Sequence, residues 1–196
     1  MRFFRYNLCC LICFSLLFSS CAYFTKEPGR PPKVGTVLIA DGYRKLYVHN
    51  FQNDSYGAAV HTTLTQLVKS EIDRRGRFIH TRDKSLSSFR LYGSVVHYQK
   101  VGNIVDAFGQ HMSSEISIVV KLEIQESVSG DKITLERDEI LARAYYSDQL
   151  GNRESEEQAQ SRMLQNLAYR ISEESENAWY YYVKEKHYKN VKLEKK

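Results

Sequence analysis

Between residues 89 and 146, apolar and polar positions alternate as three consecutive strands of an antiparallel sheet would require. The pattern is cleanest over 115–125. Here Ile116, Ile118, Val120, Leu122 and Ile124 share one face, and Ser117, Lys121, Glu123 and Gln125 fall mostly on the other. Residues 91–100 alternate less cleanly but are rich in β-branched and aromatic side chains. After the turn residues Ser129, Gly130 and Asp131, alternation resumes on the odd positions Ile133 and Leu135. It then moves to the even positions Ile140, Ala142, Ala144 and Tyr146. One inserted residue reverses the facing of everything beyond it, so a β-bulge is expected near residues 137–139.

A sheet with one apolar face needs a cover, and two amphipathic helices flank it. Val60, Leu64, Leu67, Val68 and Ile72 form the stripe of the first, with Asn53-Asp54-Ser55 as turn and cap and Gly76 as C-cap. Strands over 45–51 and 77–82 enclose it, which predicts one right-handed parallel crossover. In the first of these, Leu46, Val48 and Asn50 oppose Tyr47, His49 and Phe51. The second helix opens with the capping-box spacing Ser155-Glu-Glu-Gln158. Its stripe is Ala159, Met163, Leu167, Ile171, Ser175, Ala178 and Tyr182, flanked by Leu164, Ala168 and Trp179. A helix of about thirty residues at 1.5 Å each is long for such a sheet, so its far end, with the aromatic run Trp179 to Tyr182, is expected to project. Residues 102–113 are either a functional loop or extensions of the strands they join. The fold class expected is α/β (α+β), a two-layer sandwich of two helices on one face of a mixed, mostly antiparallel sheet.

Charge and cysteine placement change the picture at the chain's ends. Of the formal charge of +5, Arg2 and Arg5 lie in the first twenty residues and a lysine-rich run fills 184–196, leaving the region between slightly acidic. That distribution argues against a nucleic-acid partner, which would need a basic face on the folded domain. Residues 8–18 form an apolar core behind a basic start, too short at eleven residues for the roughly 20 of a membrane-spanning helix. Leu16-Leu-Phe-Ser-Ser-Cys21 resembles a bacterial lipobox, with Cys21 as the acylated residue and Phe18 in place of the usual small or aliphatic side chain. Two or three acyl chains anchor a protein stably, whereas one does so only marginally. The domains expected are a signal peptide at 1–20, a lipid-anchored tether rich in proline and glycine at 21–44, a folded domain at 45–183 and a basic tail at 184–196.

Little in the sequence points to catalysis. All four cysteines lie within the first 21 residues, and the histidines at 49, 61, 80, 97, 111 and 187 lack metal-binding helical spacing. Nucleophile-elbow, phosphate-loop, dinucleotide and zinc-protease motifs are missing. Glu154, Glu156 and Glu157 fit a helix first turn, and Glu173, Glu174 and Glu176 a solvated helix face. No enzyme and no cofactor is expected.

The order of these features resembles the LPS-assembly lipoprotein family, LptE, over 21 to about 183. The resemblance rests on the lipobox with Cys21-Ala-Tyr-Phe, on Phe89-Arg-Leu-Tyr-Gly-Ser-Val-Val-His-Tyr, and on Ser114-Glu-Ile-Ser-Ile-Val-Val-Lys-Leu-Glu-Ile. Lys132-Ile-Thr-Leu-Glu-Arg and the Glu/Gln-rich last helix complete it. Ala22 stands where the family has glycine. The resemblance implies an outer-membrane lipoprotein that plugs the lumen of the LptD β-barrel, helps it assemble, and binds lipopolysaccharide. The family's basic contact before the last helix corresponds to Arg153, and no lysine or arginine occupies 102–113, where a second is expected. Lys100, Lys121 and Arg143 are the remaining cationic candidates. A lipid-anchored accessory subunit of another envelope transport or secretion machine is the alternative function.

Overall fold

Two short strands, β1 (Lys33–Val34) and β2 (Val37–Leu38), pair antiparallel at the start of the part of the chain that the computed structural model describes. That part comprises residues 32–35, 37–105, 111–147 and 154–188. A 3-10 turn (Asp41–Tyr43) leads into β3 (Lys45–Val48), followed by β4 (Gln52–Asn53), α1 (Val60–Arg75) and β5 (Ile79–His80). A second 3-10 turn (Lys84–Leu86) precedes β6 (Phe89–Val105), β7 (His111–Glu126), β8 (Lys132–Ile133), β9 (Glu139–Tyr146) and α2 (Glu156–Tyr188). The main sheet runs β5-β3-β6-β7-β8, with β4 also on β6 and β9 also on β7. Pairs among β3, β4, β5 and β6 are parallel, and those of β7 with β6, β8 and β9 antiparallel. The architecture is the expected α+β one, two helices with a mixed sheet.

The five alternating residues of β7 are all buried, beneath Leu64, Val68 and Ile72 of α1 and Met163, Leu167 and Ile171 of α2. The irregular pattern of β6 has a cause. Val95 pairs Val120 but His97 pairs Val119, so Val96 is an extra residue. Before it, Phe89, Leu91 and Val95 face the core; after it, Tyr98 does. Gly93, on the same face, lies under the Phe51 ring, where a Cβ would sit 2.7 Å from ring atoms. Phe51 is thus a core residue and Asn50 is exposed, the reverse of the facing that a continuous strand over 45–51 would give. The strand breaks after Val48, and that break turns Phe51 inward.

The third long strand is interrupted more widely than a single-residue bulge. Ile133 pairs Ile124 and Glu139 pairs Lys121, so five residues, 134–138, stand opposite Leu122 and Glu123. Three extra residues reverse the facing as one would, because both numbers are odd. Glu174 of α2 holds this insertion: its Oε1 accepts the backbone N–H groups of Glu136 at 2.7 Å and Arg137 at 3.0 Å.

At the start of α1, Ala59 takes a left-handed conformation (φ 57°) and the first turn has no side-chain cap. Asn53, expected to help cap the helix, instead closes a turn, accepting from Ser55 N and donating to Gly57 O. At its other end Gly76 is the left-handed C-cap, as the sequence predicts. The buried Arg44 guanidinium donates there to the carbonyls of Gly76 and Arg77, both at 2.9 Å. A cation at a helix C-terminus complements the helix dipole.

At the start of α2, the capping box forms reciprocally between Ser155 and Gln158. The far end of α2 does not project. Trp179 and Val183 are fully buried, and Lys186 bonds Glu126 at the end of β7. A helix of 33 residues spans roughly 50 Å, and β7 with 16 residues reaches about the same length. Both β6 and β7 run into the 102–113 segment as extensions of strands. The far end of α2 lies at the other end of these strands, with Tyr182 against Phe89 and Trp179 against Phe78. Of the aromatic run, Tyr181 alone is mainly exposed (67%). Nor are the glutamates of α2 a solvated face: Glu173 is exposed, but Glu174 binds backbone and Glu176 is 1% exposed. Trp179 donates Nε1–H to Tyr43 O at 2.8 Å, and Ile39 is buried in the same core. Residues assigned above to the tether are therefore part of the fold.

Candidate functional site

The sheet face away from the helices is wet. Tyr47, Arg90, Tyr92, Ser117, Lys121, Glu123, Gln125 and Arg143 are exposed or half-buried there. His49 stacks on Tyr92 with ring centroids 4.1 Å apart, beside Tyr47 at 4.8 Å. Burial first, then the charges of Lys84, Arg90 and Lys69, hold the His49 imidazole below its ordinary pKa, so it is neutral at pH 7.

Along the outer edge of the sheet, β9 and α2 form a charged cleft. Register fixes what β9 presents. Leu122 N bonds Asp138 O, so in the alternating antiparallel ladder the backbone groups of Leu141, Arg143 and Tyr145 point away from β7. Arg170 of α2 reaches this edge and donates Nη1–H to Leu141 O at 2.7 Å. Arg162, Asn166 and Arg170 recur every four residues, so they stand in one row beside the buried Met163 and Leu167. The cleft is about 720 Å³, with Ala142 and Met163 at its floor, Leu141 and Asn166 in its walls, and Arg143, Arg162 and Arg170 around it. Arg162 grips Glu154 through two bonds, Nε to Oε1 at 2.8 Å and Nη2 to Oε2 at 2.7 Å. That fork holds the Glu154 carboxyl below the usual carboxylate range. Arg143 Nε lies 3.4 Å from Glu115 Oε1.

The cationic candidates do not form one cluster. Lys100 pairs with Ile116, a core-face residue, and its ammonium bonds Glu156 in the first turn of α2. It therefore belongs to the helix side of the sheet, not to the open strand face. The bond it donates to Glu156 raises its pKa. Lys121 and Arg143 share the open face, but Arg143 pairs with Ser117, four residues from Lys121, or roughly 14 Å along the strand. Arg153 and Cys21 lie outside the described residues. Arg162 and Arg170 were missed because each looks like an ordinary solvated helix residue. Their signal was the four-residue spacing bordering the apolar stripe.

Among the described residues no three His, Cys, Asp or Glu side chains converge as a metal site. Among the described helices none is long and apolar enough to cross a membrane.

Fold and cleft together define a small two-layer α+β domain with a charged cleft along one sheet edge. A hypothetical protein from Chlamydia trachomatis shares the fold at a TM-score of 0.53 and 8% identity, over 69% of this chain and 96% of that one. A minor lipoprotein from Acinetobacter baumannii aligns at 18% identity and a TM-score of 0.45, over 69% and 94%. A protein from Caulobacter crescentus aligns at 13% and 0.42, over 74% and 95%. No curated protein matches the chain. The LptE family, described as lipopolysaccharide-assembly, matches residues 43–174, and the chain belongs to that family. It is accordingly an outer-membrane lipoprotein of lipopolysaccharide assembly, and not an enzyme.

Proposed function

We propose that the protein sits inside the lumen of an LptD-type β-barrel, as a plug that helps the barrel assemble and takes part in inserting lipopolysaccharide into the outer leaflet. The observation that carries this reading, given the family, is the open face of the sheet. A barrel lumen is polar, and a plug for it needs a wettable wall, which Tyr47, Tyr92, Lys121, Glu123, Gln125 and Arg143 supply. Cys21 carries the lipid, and the chain from there to the first described strand tethers the domain to the membrane. Arg153, Arg143 and Lys121 are the proposed contacts for lipopolysaccharide; Lys100, engaged by Glu156, is the weakest of the four candidates.

Affinity purification from solubilised outer membrane should recover a large β-barrel in near-equal amount. Recovery of none would count decisively against the plug. Depletion separates this reading from that of an accessory to another envelope machine: lipopolysaccharide should disappear from the cell surface, whereas intact surface lipopolysaccharide with some other export defect would favour the alternative.

A further inference from the structure

We propose that the cleft between β9 and α2 is a phosphate-binding site whose Arg162 fork is held by Glu154 until a phosphate displaces it. Three guanidinium groups surround one cleft, and they differ in how firmly they are engaged. Arg170 has only the carbonyl of Leu141 and makes no ion pair among the described residues. Arg143 has a loose contact with Glu115 at 3.4 Å. Arg162 donates paired bonds to Glu154, a geometry that a phosphate reproduces with its own oxygens as acceptors. A phosphate monoester carries about −1.5 to −2 charges at neutral pH against the single charge of a carboxylate, so it interacts with the two neighbouring arginines as well. The pair it must replace is a weak one, since Arg162 is 59% and Glu154 34% exposed. The buried floor of Ala142 and Met163 gives an attached sugar or acyl group an apolar surface.

The outward edge of β9 could instead accept an added strand. Arg170 disfavours this, because it already occupies the Leu141 carbonyl that such a strand would need. The proposal deepens the lipopolysaccharide reading by giving that ligand's phosphates a place, and it depends on that reading only for the source of the phosphate.

The test uses the full-length protein in detergent, with arginine Nε–H resonances followed by NMR. It is titrated with inorganic phosphate, then with a bis-phosphorylated glycolipid and its dephosphorylated counterpart. Phosphate should shift Arg143, Arg162 and Arg170. Arg162→Gln and Arg170→Gln should each weaken binding about tenfold, as the loss of a charged hydrogen bond does. Glu154→Gln should tighten it about threefold, since the competing carboxylate is gone. A gain of affinity cannot come from misfolding, so that variant keeps the test decisive. Unchanged affinity in Glu154→Gln, or full binding by both arginine variants at 150 mM salt, would overturn the site. Arginine-dependent binding of inorganic phosphate, with equal binding of both glycolipids, would support the anion site and overturn its assignment to the glycolipid. Glycolipid binding indifferent to both arginines, in a protein that still co-purifies with its barrel, would overturn the site and leave the plug reading intact. A response of the Arg143 and Tyr145 amides to an acidic peptide, with none to phosphate, would overturn it in favour of strand addition.

Discussion

Arg75 Nη2, in the last turn of α1, lies 2.9 Å from Glu176 Oε2 in the middle of α2. The Glu176 side chain is 1% exposed, and Arg77 Nε is its second cationic neighbour at 3.7 Å. The two helices are thus joined by a charge pair taken out of water, although α2 at that point carries three glutamates that look solvated in sequence. Removing one partner of a buried pair strands the other charge.

Arg75→Ala is therefore expected to cost about 2–4 kcal/mol, reduced from a fully isolated loss by the remaining Arg77. Urea unfolding checks it. Replacing both residues with methionine should recover most of that loss, since a well-packed apolar pair needs no desolvation. A double variant as unstable as the single one would contradict this account.

Glu174→Ala removes the acceptor for two backbone N–H groups in the 134–138 insertion. The expected loss is about 1–2 kcal/mol, with faster hydrogen exchange confined to Glu136 and Arg137. Unchanged exchange there would mean that the insertion is held by β7 alone.

Trp179→Ala should be the most damaging single change in α2, at about 3–5 kcal/mol, because it opens a cavity. It also removes the donor to Tyr43 O and the contact with Phe78 at 4.7 Å between ring centroids. Thermal unfolding measures the loss. Trp179→Phe, which keeps most of the volume but loses the donor, should fall between.

Glu126 ties the end of β7 to α2. Burial alone would raise its carboxyl, but bonds from Lys186, Ser129 and Tyr182 together hold it below the usual range. Glu123 is lowered chiefly by its bond from Lys132. A carboxylate depressed in the folded state stabilises the fold above its unfolded pKa of about 4.3, and that contribution fades as pH falls through the folded value. Stability should thus decline below about pH 4. Lys186 is raised by Glu126, Tyr182 and Asp131, so its contribution is complete below its unfolded value of about 10.4 and fades as pH rises through the folded one. Denaturant melts across pH should show Glu126→Gln flattening the acid limb.

On the proposed lipid attachment, Cys21→Ala should abolish incorporation of labelled palmitate and, in cells depleted of the barrel, release the protein from the membrane fraction. Fractionation after inhibition of lipoprotein processing provides the matched control.

Where one residue's facing decided the matter, the chain could be read directly. Ile116 through Ile124 alternate because a strand has period two, Gly76 ends α1 because only a left-handed residue closes that turn without strain, and Ser155 and Gln158 cap α2 at their fixed spacing. These are local rules, and the match to the LptE family follows from their order along the chain. What tertiary structure decided depends on residues far apart in sequence. Phe51 turned inward because Gly93 leaves room for its ring. The end of α2 lay down because Tyr43, Phe78 and Phe89 meet Trp179 and Tyr182 there, and Glu126 at the end of β7 takes Lys186. Arg162 and Arg170 became part of a cleft only when β9 ran alongside them with Leu141 O and Arg143 on that edge. Periodicity tells which side of an element faces the core; it carries no information about which other element borders the polar side, and the cleft is made of that border.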